Sequence, residues 1–425
     1  SSGGGFILNN ATGTTTLTNL SLSGGGFGLK FTNAAGTING TNVDIINPAG
    51  SAISVTGGTA EFNFDSTSSV TKGGGGAAVR VNGGHATGTF AYAGTINVTG
   101  GTGLDFDNAD GIYNFAGTTT LNGGDAGIDI LNGSGGTFSF GADTSITSPS
   151  GTAFNVSGST AAITYSGSIT QANNAALVSI LNHSGGTVTF QTGTLGAING
   201  SGLQFDNADA TYNFNGTTTL NGGDAGVDIL NGSAGTFSFG SSTSITSPSG
   251  TAFNVSGSTA VVTYSGSITQ ANNAALASIL NHSGGTITFQ TGTLSAGNGT
   301  GLQFDNADGT YNFTGTTTLN GGNAGIDIVN GSDGTFGFGV GTSISHAAAG
   351  DAFVLTDSNA GLTYSGSITD SNGYAVRIDN HDAGMVTFDT GTISSTGANA
   401  LGLSVANSNG GAINFNGQAK LWAQA

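Results

Sequence analysis

The sequence has no cysteine and only three prolines among its 425 residues. Without cysteine the chain forms neither disulfides nor thiolate metal sites, although this does not identify its compartment. Secreted repeat proteins that cross a membrane unfolded often lack cysteine, so the absence fits export. Residues 1–5, Ser-Ser-Gly-Gly-Gly, do not resemble a signal peptide, and no apolar run is long enough to span a membrane. We therefore expect a mature chain or a segment of a longer protein.

Basic residues are almost absent, and 23 acidic residues bring the formal net charge to −18. The basic residues are Lys30, Lys72, Arg80, Arg377 and Lys420. Nucleic-acid binding requires Lys and Arg at the phosphates, so we expect no nucleic-acid partner. Binding to an anionic membrane surface is disfavoured for the same reason, and we expect no membrane insertion by this segment.

Charged residues make up only 7% of the chain, whereas glycine supplies 79 residues. An ordinary globular protein has about 25% charged residues. A composition rich in glycine and serine with little charge is also found in disordered chains. However, 36% of the residues are apolar and they recur at regular intervals, which favours a folded chain with a core.

The strongest signal is internal repetition. Residues 101–199 and 200–298 are nearly identical, and residues 299–399 stay close to them until about Ser345. Residues 1–100 and 400–425 are more divergent. We predict one domain, residues 1–425, that contains these three super-repeats of about 99 residues.

A shorter period of 24–26 residues divides each super-repeat, marked by two apolar residues that flank one other residue. The first apolar residue of each pair, here called the anchor, is Phe6, Leu29, Ile53, Val79, Leu104, Ile128, Phe154, Val178, Leu203, Val227, Phe253, Ala277, Leu302, Ile326, Phe353, Val376 and Leu403. The chain thus contains about seventeen such units.

Each unit contains three short runs that alternate apolar and polar residues, separated by Gly and Asn clusters, which is typical of strands with one buried face. One unit cannot bury its own apolar face, but stacked units do, and they pair every backbone N–H and C=O. We predict an all-β, right-handed, single-stranded parallel β-helix (β-solenoid) with three strands per coil. A β-propeller fits poorly because its blades are about 40–45 residues long.

Equivalent positions stack in a solenoid, so residues at one position of successive coils form a column. Four residues after the anchor, twelve coils carry Asn, which tolerates the left-handed backbone conformation and can bond to the amide of the next coil. We predict a structural asparagine ladder of Asn10, Asn33, Asn108, Asn132, Asn182, Asn207, Asn231, Asn281, Asn306, Asn330, Asn380 and Asn407.

The position after the anchor faces outward, and its column places Arg80 next to Asp105 and Asp105 next to Asp129. We expect an ion pair between Arg80 and Asp105, which contributes only about 0–1 kcal/mol at an exposed site. Asp105 and Asp129 are like-charged neighbours and the weak candidates for a cation site, with Ca²⁺ as the candidate ion. No other cofactor is expected.

Catalytic β-helices degrade polysaccharides, and a hydrolase of that kind needs a carboxylate pair at a defined separation. Glu61 is the only glutamate, and residues 81–376 contain no Lys or Arg. His183, His282 and His381 recur in Asn-His pairs, but they are too far apart to share a metal, and we expect them in surface turns. We therefore do not expect the chain to be an enzyme. The alternative is a β-helix that binds or degrades polysaccharides.

These coils of about 25 residues, rich in Gly, Asn, Thr and Ser, with an Asn ladder, no cysteine and few lysines, resemble the passenger β-helices of bacterial autotransporters and filamentous-haemagglutinin-type adhesins. The resemblance covers essentially the whole chain but includes no catalytic motif. It implies an extracellular, bacterial cell-surface location and a role in adhesion, aggregation or biofilm formation.

The terminal coils of a β-helix expose unpaired strand edges that need a cover. No capping helix is recognisable in the sequence. We expect flanking parts of a longer adhesin, or further copies of the chain in head-to-tail or lateral assembly, to supply the cover. Host or matrix glycans are further candidate partners.

Overall fold

The computed structural model describes residues 4–346 and 348–421, and these residues form strands and turns without any helix. Accordingly, no helix of this part of the chain could cross a membrane. Two compact units, residues 1–218 and 219–425, are distinguished by their internal contacts, and each is described by itself. The last four residues of the divergent segment 400–425 lie outside the described residues. The single domain 1–425 stays a prediction.

Unit 1 contains 22 complete strands within its described residues. They are β1 (Phe6–Asn9), β2 (Thr14–Ser23), β3 (Leu29–Thr32), β4 (Thr37–Ile46), β5 (Ile53–Thr56), β6 (Glu61–Phe64), β7 (Ser69–Lys72), β8 (Val79–Tyr92), β9 (Thr95–Val98), β10 (Gly103–Phe115), β11 (Thr119–Asn122), β12 (Gly127–Leu131), β13 (Thr137–Phe140), β14 (Thr144–Thr147), β15 (Phe154–Ser159), β16 (Ala162–Tyr165), β17 (Ser168–Gln171), β18 (Ala176–His183), β19 (Thr187–Phe190), β20 (Thr194–Ala197), β21 (Gly202–Ala208) and β22 (Thr211–Phe214).

The next strand, β23 (Thr217–Asn221), includes the boundary, and unit 2 contains the remaining strands of the described chain. They are β24 (Gly226–Leu230), β25 (Thr236–Phe239), β26 (Thr243–Thr246), β27 (Phe253–Ser258), β28 (Val261–Tyr264), β29 (Ser267–Gln270), β30 (Ala275–His282), β31 (Thr286–Phe289), β32 (Thr293–Ala296), β33 (Gly301–Ala307), β34 (Thr310–Phe313), β35 (Thr316–Asn320), β36 (Gly325–Val329), β37 (Thr335–Phe338), β38 (Thr342–His346), β39 (Phe353–Thr356), β40 (Gly361–Tyr364), β41 (Ser367–Asp370), β42 (Tyr374–Asp379), β43 (Met385–Phe388), β44 (Thr392–Ser395), β45 (Gly402–Ala406), β46 (Ala412–Phe415) and β47 (Gln418–Leu421).

In each unit, every strand pairs in parallel with the strand one coil away, and the pairing aligns the predicted anchors. In unit 1, for example, Leu104 is aligned with Ile128 and Ile128 with Phe154, and in unit 2 Val227 is aligned with Phe253. The prediction of a parallel β-solenoid of about seventeen turns with three strands per turn is confirmed.

The coils vary slightly more in length than the predicted 24–26 residues. The aligned partners Phe6 and Leu29 are 23 residues apart, whereas Val376 and Leu403 are 27 residues apart. The register of β1 with β3 is unbroken, whereas the pairing of β42 with β45 contains a register shift between Tyr374 and Val376.

The three strands of each coil form three faces, here called the first, second and third face in chain order. Alternation places one side-chain set of the strands in the core, as predicted, except in the first and last described coils, where β1, β46 and β47 have no buried residue. On the second face the rings stack from coil to coil: the ring centroids of Tyr113 and Phe138 are 4.7 Å apart, and those of Phe313 and Phe338 are 4.9 Å apart. These rings are almost completely buried, so they form core rather than a platform for ligands.

Candidate functional site

The weak candidates for a cation site, Asp105 and Asp129, are aligned neighbours on the outside of the first face of unit 1. The predicted ion pair is confirmed, since Arg80 Nε lies 3.4 Å from Asp105 Oδ2. Asp129 has a different partner, because Asn155 Nδ2 donates a 3.0 Å hydrogen bond to its Oδ1. Both carboxylates are therefore engaged by protein donors.

The surroundings of Asp129 favour its neutral form. Burial, opposed by the hydrogen bond from Asn155 and helped by the charges of Asp105 and Asp125, raises the pKa of Asp129 to about 6. In unit 2, burial likewise raises the pKa of Asp327 to about 6. Nowhere in the described chain do three or more His, Cys, Asp or Glu side chains come together as a metal site. Two carboxylates with other partners offer too few ligands for Ca²⁺, which takes about 6–8 oxygens.

The asparagine column occupies the corner between the first and second faces. All twelve asparagines have positive φ angles, between 47° and 54°. The five remaining coils have Gly57, Gly83, Gly158, Gly257 and Asp357 at this position, and these residues also have positive φ. Left-handed backbone is therefore what the corner requires, and Asn and Gly adopt it at the lowest cost.

Side-chain hydrogen bonds join several members of this column to the coil before them. Asn207 Nδ2 donates to Asn182 Oδ1 at 2.9 Å, and Asn306 Nδ2 donates to Asn281 Oδ1 at the same distance. Asn330 instead donates to Asp305 Oδ2 at 3.0 Å. The Asn108, Asn132 and Asn231 side chains of the column are exposed like the others. The column thus turns the backbone in every coil, and four glycines and Asp357 interrupt the series of asparagine amides. The ladder itself stays a prediction.

The expectation that His183, His282 and His381 lie in surface turns is wrong. All three side chains are completely buried, as is that of His85. The left-handed residue before each of the three predicted histidines shifts the alternation, so the histidine points into the core. The aligned positions in neighbouring coils confirm this direction, because His183 is aligned with the buried Ser159 and Ala208.

Three of the histidines form the same hydrogen-bonded unit with a tyrosine. The Nδ1 atoms of His85, His183 and His282 lie 2.8–3.0 Å from the hydroxyls of Tyr113, Tyr212 and Tyr311. Each Nε2 lies 3.0–3.1 Å from a backbone carbonyl one coil away. Since a carbonyl only accepts, Nε2 carries the proton, and Nδ1 accepts from the tyrosine hydroxyl.

These units hold both partners in their neutral forms. Burial lowers the pKa of His85, His183 and His282, although the carbonyl hydrogen bond opposes it. Burial also raises the pKa of Tyr113 and Tyr311 above the usual range. A neutral imidazole with both nitrogens bonded and no solvent contact has no route to act as a general base on a bound substrate.

His381 departs from this pattern. Its Nδ1 lies 2.7 Å from the carbonyl of Ser358, and its Nε2 has no hydrogen-bond partner within the described chain. Ile413 occupies the aligned position at which the other coils have the tyrosine. The missing hydroxyl explains why the ring adopts a different orientation.

A second recurring feature, absent from the sequence-based expectations, is a buried polar side chain at the end of the third face. These residues, here called corner plugs, are Lys72, Gln171, Gln270 and Asp370. Gln171 Nε2 donates to the carbonyls of Pro149 and Gly151, at 3.3 and 2.9 Å. Lys72 Nζ likewise donates to the carbonyls of Pro48 and Gly74.

Each of the first three corner plugs thus donates to the corner that follows the third face of the preceding coil, and Lys72 donates in addition to Gly74 of its own coil. Gln270 repeats the geometry of Gln171, with Nε2 donating to the carbonyls of Pro248 and Gly250, at 3.2 and 2.9 Å. The three corners that are closed in this way contain the three prolines of the chain. The plugs Lys72, Gln171 and Gln270 are spaced by 99 residues, which extends the super-repeat into the divergent residues 1–100.

At the fourth corner plug the uncharged amide is replaced by an ionisable pair. His346 Nδ1 lies 3.0 Å from Asp370 Oδ1, and both side chains have no exposed area. His346 Nε2 lies 3.3 Å from Asn323 Oδ1. Asp370 Oδ1 also accepts from the backbone N–H of Asn372 at 3.4 Å, while its Oδ2 has no hydrogen-bond partner in the described chain.

Further charged side chains lie in the same part of unit 2. Arg377 lies within 3.6 Å of Asp351 and within 3.5 Å of Asp379. Burial has the largest effect on the pKa of Asp327 and raises it. The negative charge of Asp351 also raises this pKa, and His346 lowers it, but both effects are smaller than that of burial. Compared with the first two super-repeats, the third has an additional histidine, an arginine and several carboxylates in this region.

The arrangement does not form a nucleophilic triad. On the inner side of the third face His346 is aligned with Asp370 and Asp370 with Ser395. The carboxylate therefore lies between the imidazole and the hydroxyl, whereas a triad requires the imidazole between them. Both imidazole nitrogens face the acceptors Asp370 Oδ1 and Asn323 Oδ1, so neither is directed at the hydroxyl of Ser395.

Two shallow grooves lie on the surfaces of the units. The groove in unit 1 has a volume of about 330 Å³ and is lined by Thr12, Thr14, Thr37, Thr59 and Glu61 among others. The groove in unit 2 has a volume of about 230 Å³ and includes Asn312, Gly337 and Thr363. Neither groove contains the pair of carboxylates that glycoside hydrolysis needs.

Comparison of the chain with protein-family models, curated proteins and solved structures finds no match. Function is therefore inferred from the fold and the side chains alone.

Proposed function

We propose that the chain is a non-catalytic structural segment of an extracellular fibre on a bacterial surface, with a role in adhesion, aggregation or biofilm formation. The observation that carries the proposal is the repetition of the buried positions. Anchors, stacked rings, histidine–tyrosine units and corner plugs recur in successive coils or super-repeats, so the repeated sequence serves the packing of one coil on the next.

The distribution of reactive groups supports a structural role. The histidines are buried and bonded, the few basic residues are scattered, and the outward columns consist mainly of small neutral side chains. Such a surface offers hydrogen bonds over a large area instead of one reactive point. The resemblance in composition to autotransporter passengers and filamentous-haemagglutinin-type adhesins agrees with this role and with a location outside the cell.

Deletion of the middle super-repeat tests the proposal. Removing residues 200–298 joins two nearly identical sequences and should leave a folded all-β chain, observed by circular dichroism. Cells that display this variant should still aggregate, although less than cells displaying the full chain. Complete loss of aggregation by a well-folded variant would contradict a role distributed along the repeats.

Self-assembly is a separate part of the proposal and has its own test. Electron microscopy of the purified chain should reveal filaments or lateral bundles if copies of the chain are partners. Discrete particles at all concentrations would exclude polymerisation by this segment. In parallel, incubation with a panel of polysaccharides should yield no cleavage products, and any released oligosaccharide would instead favour the alternative of a polysaccharide-degrading β-helix.

A further inference from the structure

We propose that the groove in unit 2 binds a neutral polysaccharide through the hydroxyl groups of one sugar residue, without cleaving it. The inference rests on the proposed adhesive function, for which it names a ligand class and a place in the fold. The observation that carries it is Gly337, which replaces a serine of the first two super-repeats and opens space between polar side chains of the neighbouring coils.

The groove extends over three successive strands of the second face, β34, β37 and β40. In the outward column Asn312 is aligned with Gly337, and Gly337 with Thr363. A second row, two residues further along the chain in each coil, completes the polar lining with Thr314, Gly339 and Ser365. The middle coil thus has two glycines, whereas the coils on either side have amide or hydroxyl groups.

The backbone does not require a glycine at position 337. Gly337 does not have a positive φ, and a Cβ atom added there would lie 3.5 Å from Asn312 Oδ1, which is an ordinary contact distance. Ser139 and Ser238 occupy the equivalent position in the first two super-repeats, and their strands pair in the same way. The missing side chain is therefore not a requirement of the fold, and its effect is the open groove.

The walls of the groove present neutral donors and acceptors. Asn312 Nδ2 donates to Thr288 Oγ1 at the long distance of 3.5 Å, which leaves its other N–H and its Oδ1 for a ligand. Thr314 Oγ1 donates to two backbone carbonyls of the preceding coil and can still accept. The side chain of Thr363 is exposed. Sugar hydroxyls both donate and accept, so they match this set of groups.

The charge around the groove favours a neutral ligand. The eight residues that line it are all uncharged. Residues 81–376 contain no Lys or Arg, so a sulfated or phosphorylated glycan would find no countercharge there. Asp389 follows Ser365 in the same column and would repel an anion. A neutral polysaccharide needs no countercharge and meets no such repulsion.

A peptide strand is not the expected occupant. Addition of a strand to a sheet needs an exposed edge with unpaired N–H and C=O groups. Here β34, β37 and β40 each pair with a neighbouring strand on both sides. The groove is therefore lined by the outer surface of an intact sheet, which favours hydrogen bonds to hydroxyl groups over main-chain pairing.

The dimensions of the groove suit one sugar ring of a longer chain. Its volume of about 230 Å³ is below the range of about 300–1,000 Å³ that is typical of sites for drug-sized ligands. Its two walls stand on strands about 10 Å apart, since neighbouring strands are about 4.8 Å apart. Thr335 is exposed on the same strand as the two glycines and would contact the next sugar residue.

Affinity electrophoresis of the whole chain tests the groove. Native gels contain dextran, mannan or hydroxyethyl cellulose as neutral probes, and dextran sulfate as the anionic probe. At least one neutral probe should retard the wild-type chain, and dextran sulfate should not. The proposal is overturned if no neutral probe retards the chain or if dextran sulfate retards it as strongly.

The variant Gly337→Ser closes the groove with the side chain of the other super-repeats. It should keep the wild-type circular dichroism spectrum and bind the retarding probe about ten-fold more weakly or worse, because the added side chain occupies the space of the sugar. Gly196→Ser is the control, since it adds the same side chain to an outward glycine of unit 1 with no atom closer than 3.8 Å to the new Cβ. Equal binding by Gly337→Ser and the wild type would reject the groove as the site.

The variant Thr363→Val keeps the test valid should Gly337→Ser not fold. It preserves the shape of the wall and removes one hydroxyl, so binding should weaken. Thr164→Val is the matched control, because Thr164 has the equivalent position in the first super-repeat but is aligned with Ser139 instead of a glycine. The same loss of binding in both variants would show that the groove has no special part in it.

The two proposals fail in different ways. Deletion of residues 200–298 leaves the groove residues in place, so that variant should still bind the neutral probe. A chain that aggregates cells but binds no neutral probe would refute the groove alone. A chain that binds the probe but whose display on cells causes no aggregation would refute the adhesive function and leave the binding site established.

Discussion

At the scale of single residues, the unexpected feature is the number of polar side chains buried inside the coils. The bonded histidine–tyrosine pairs and the corner plugs contact one another or backbone carbonyls, and most of these partners lie one coil away. A buried polar group without a partner costs about 1–3 kcal/mol, whereas a bonded one is tolerated. Each of these side chains therefore depends on the coil beside it.

Tyr311 provides a test of this dependence. Its hydroxyl bonds to His282 Nδ1 at 2.8 Å and accepts from the backbone N–H of Gly309 at 3.1 Å. Tyr311→Phe leaves both groups unpaired and should lower the free energy of unfolding by about 1–3 kcal/mol, measured by urea denaturation. Tyr264→Phe is the control, because that hydroxyl bonds only to the carbonyl of Ser267, and its loss should be smaller.

A second prediction at this scale concerns Asp129 and pH. Its pKa of about 6 in the folded chain exceeds the ordinary value of 3.8, so protonation favours the fold. The resulting stability is complete below about pH 4 and is lost as the pH rises through 6. Asp129→Asn should therefore stabilise the chain by about 1–2 kcal/mol at neutral pH and by almost nothing near pH 4.

Denaturation curves at several pH values measure this effect. The exposed Asp143 supplies the control, since Asp143→Asn should change stability by less than about 0.5 kcal/mol at either pH. A gain from Asp129→Asn that is equally large at pH 4 would show that the charge of this carboxylate is not responsible.

At the scale of the elements, corners determine where strands begin and end. The corner between the first and second faces requires positive φ, and Asn132 has a φ of 47° there. Asn132→Val should lower the free energy of unfolding by about 1–2 kcal/mol, because a β-branched side chain resists this conformation. Asn132→Gly, which copies Gly158 of the next coil, should change it by less than about 1 kcal/mol. Equal losses from both variants would point to the amide group instead of the backbone.

The corner between the second and third faces is constrained by space. A Cβ atom on Gly193 would coincide with the carbonyl oxygen of Gly167 in the neighbouring coil. Gly193→Ala should therefore cost about 1–3 kcal/mol or more. At Gly196, which faces outward on β20, the nearest atom to an added Cβ is 3.8 Å away, and Gly196→Ala should be tolerated. Thermal unfolding of the two variants distinguishes these outcomes.

At the scale of the whole molecule, the sparse charge is almost entirely negative. The formal net charge of −18 keeps copies of the chain apart at neutral pH. Near the isoelectric point of about 4.1 this repulsion vanishes. We expect light scattering to detect association as the pH approaches that value, and at neutral pH we expect added salt to promote association by screening the charge. Unchanged particle size across this range would exclude electrostatic control of assembly.

The sequence alone determined the coil period, the three strands per coil, the inward direction of the stacked rings and the contact of Arg80 with Asp105. These follow from periodicity, because in-register parallel pairing forces equivalent residues into columns. The right-handed winding and the single domain stay predictions.

Only the tertiary structure decided which polar residues are buried. His183 follows a left-handed residue, and that conformation reverses the direction expected from alternation. Lys72, Gln171 and Asp370 look like solvent-exposed residues in the sequence, since their partners Pro48, Gly151 and His346 are 20 or more residues away. The pairing of His346 with Asp370 was hidden for the same reason. Local periodicity predicts which positions stack on one another. The three faces of a coil enclose its interior together, so the distances between side chains on different faces are determined only when the chain folds.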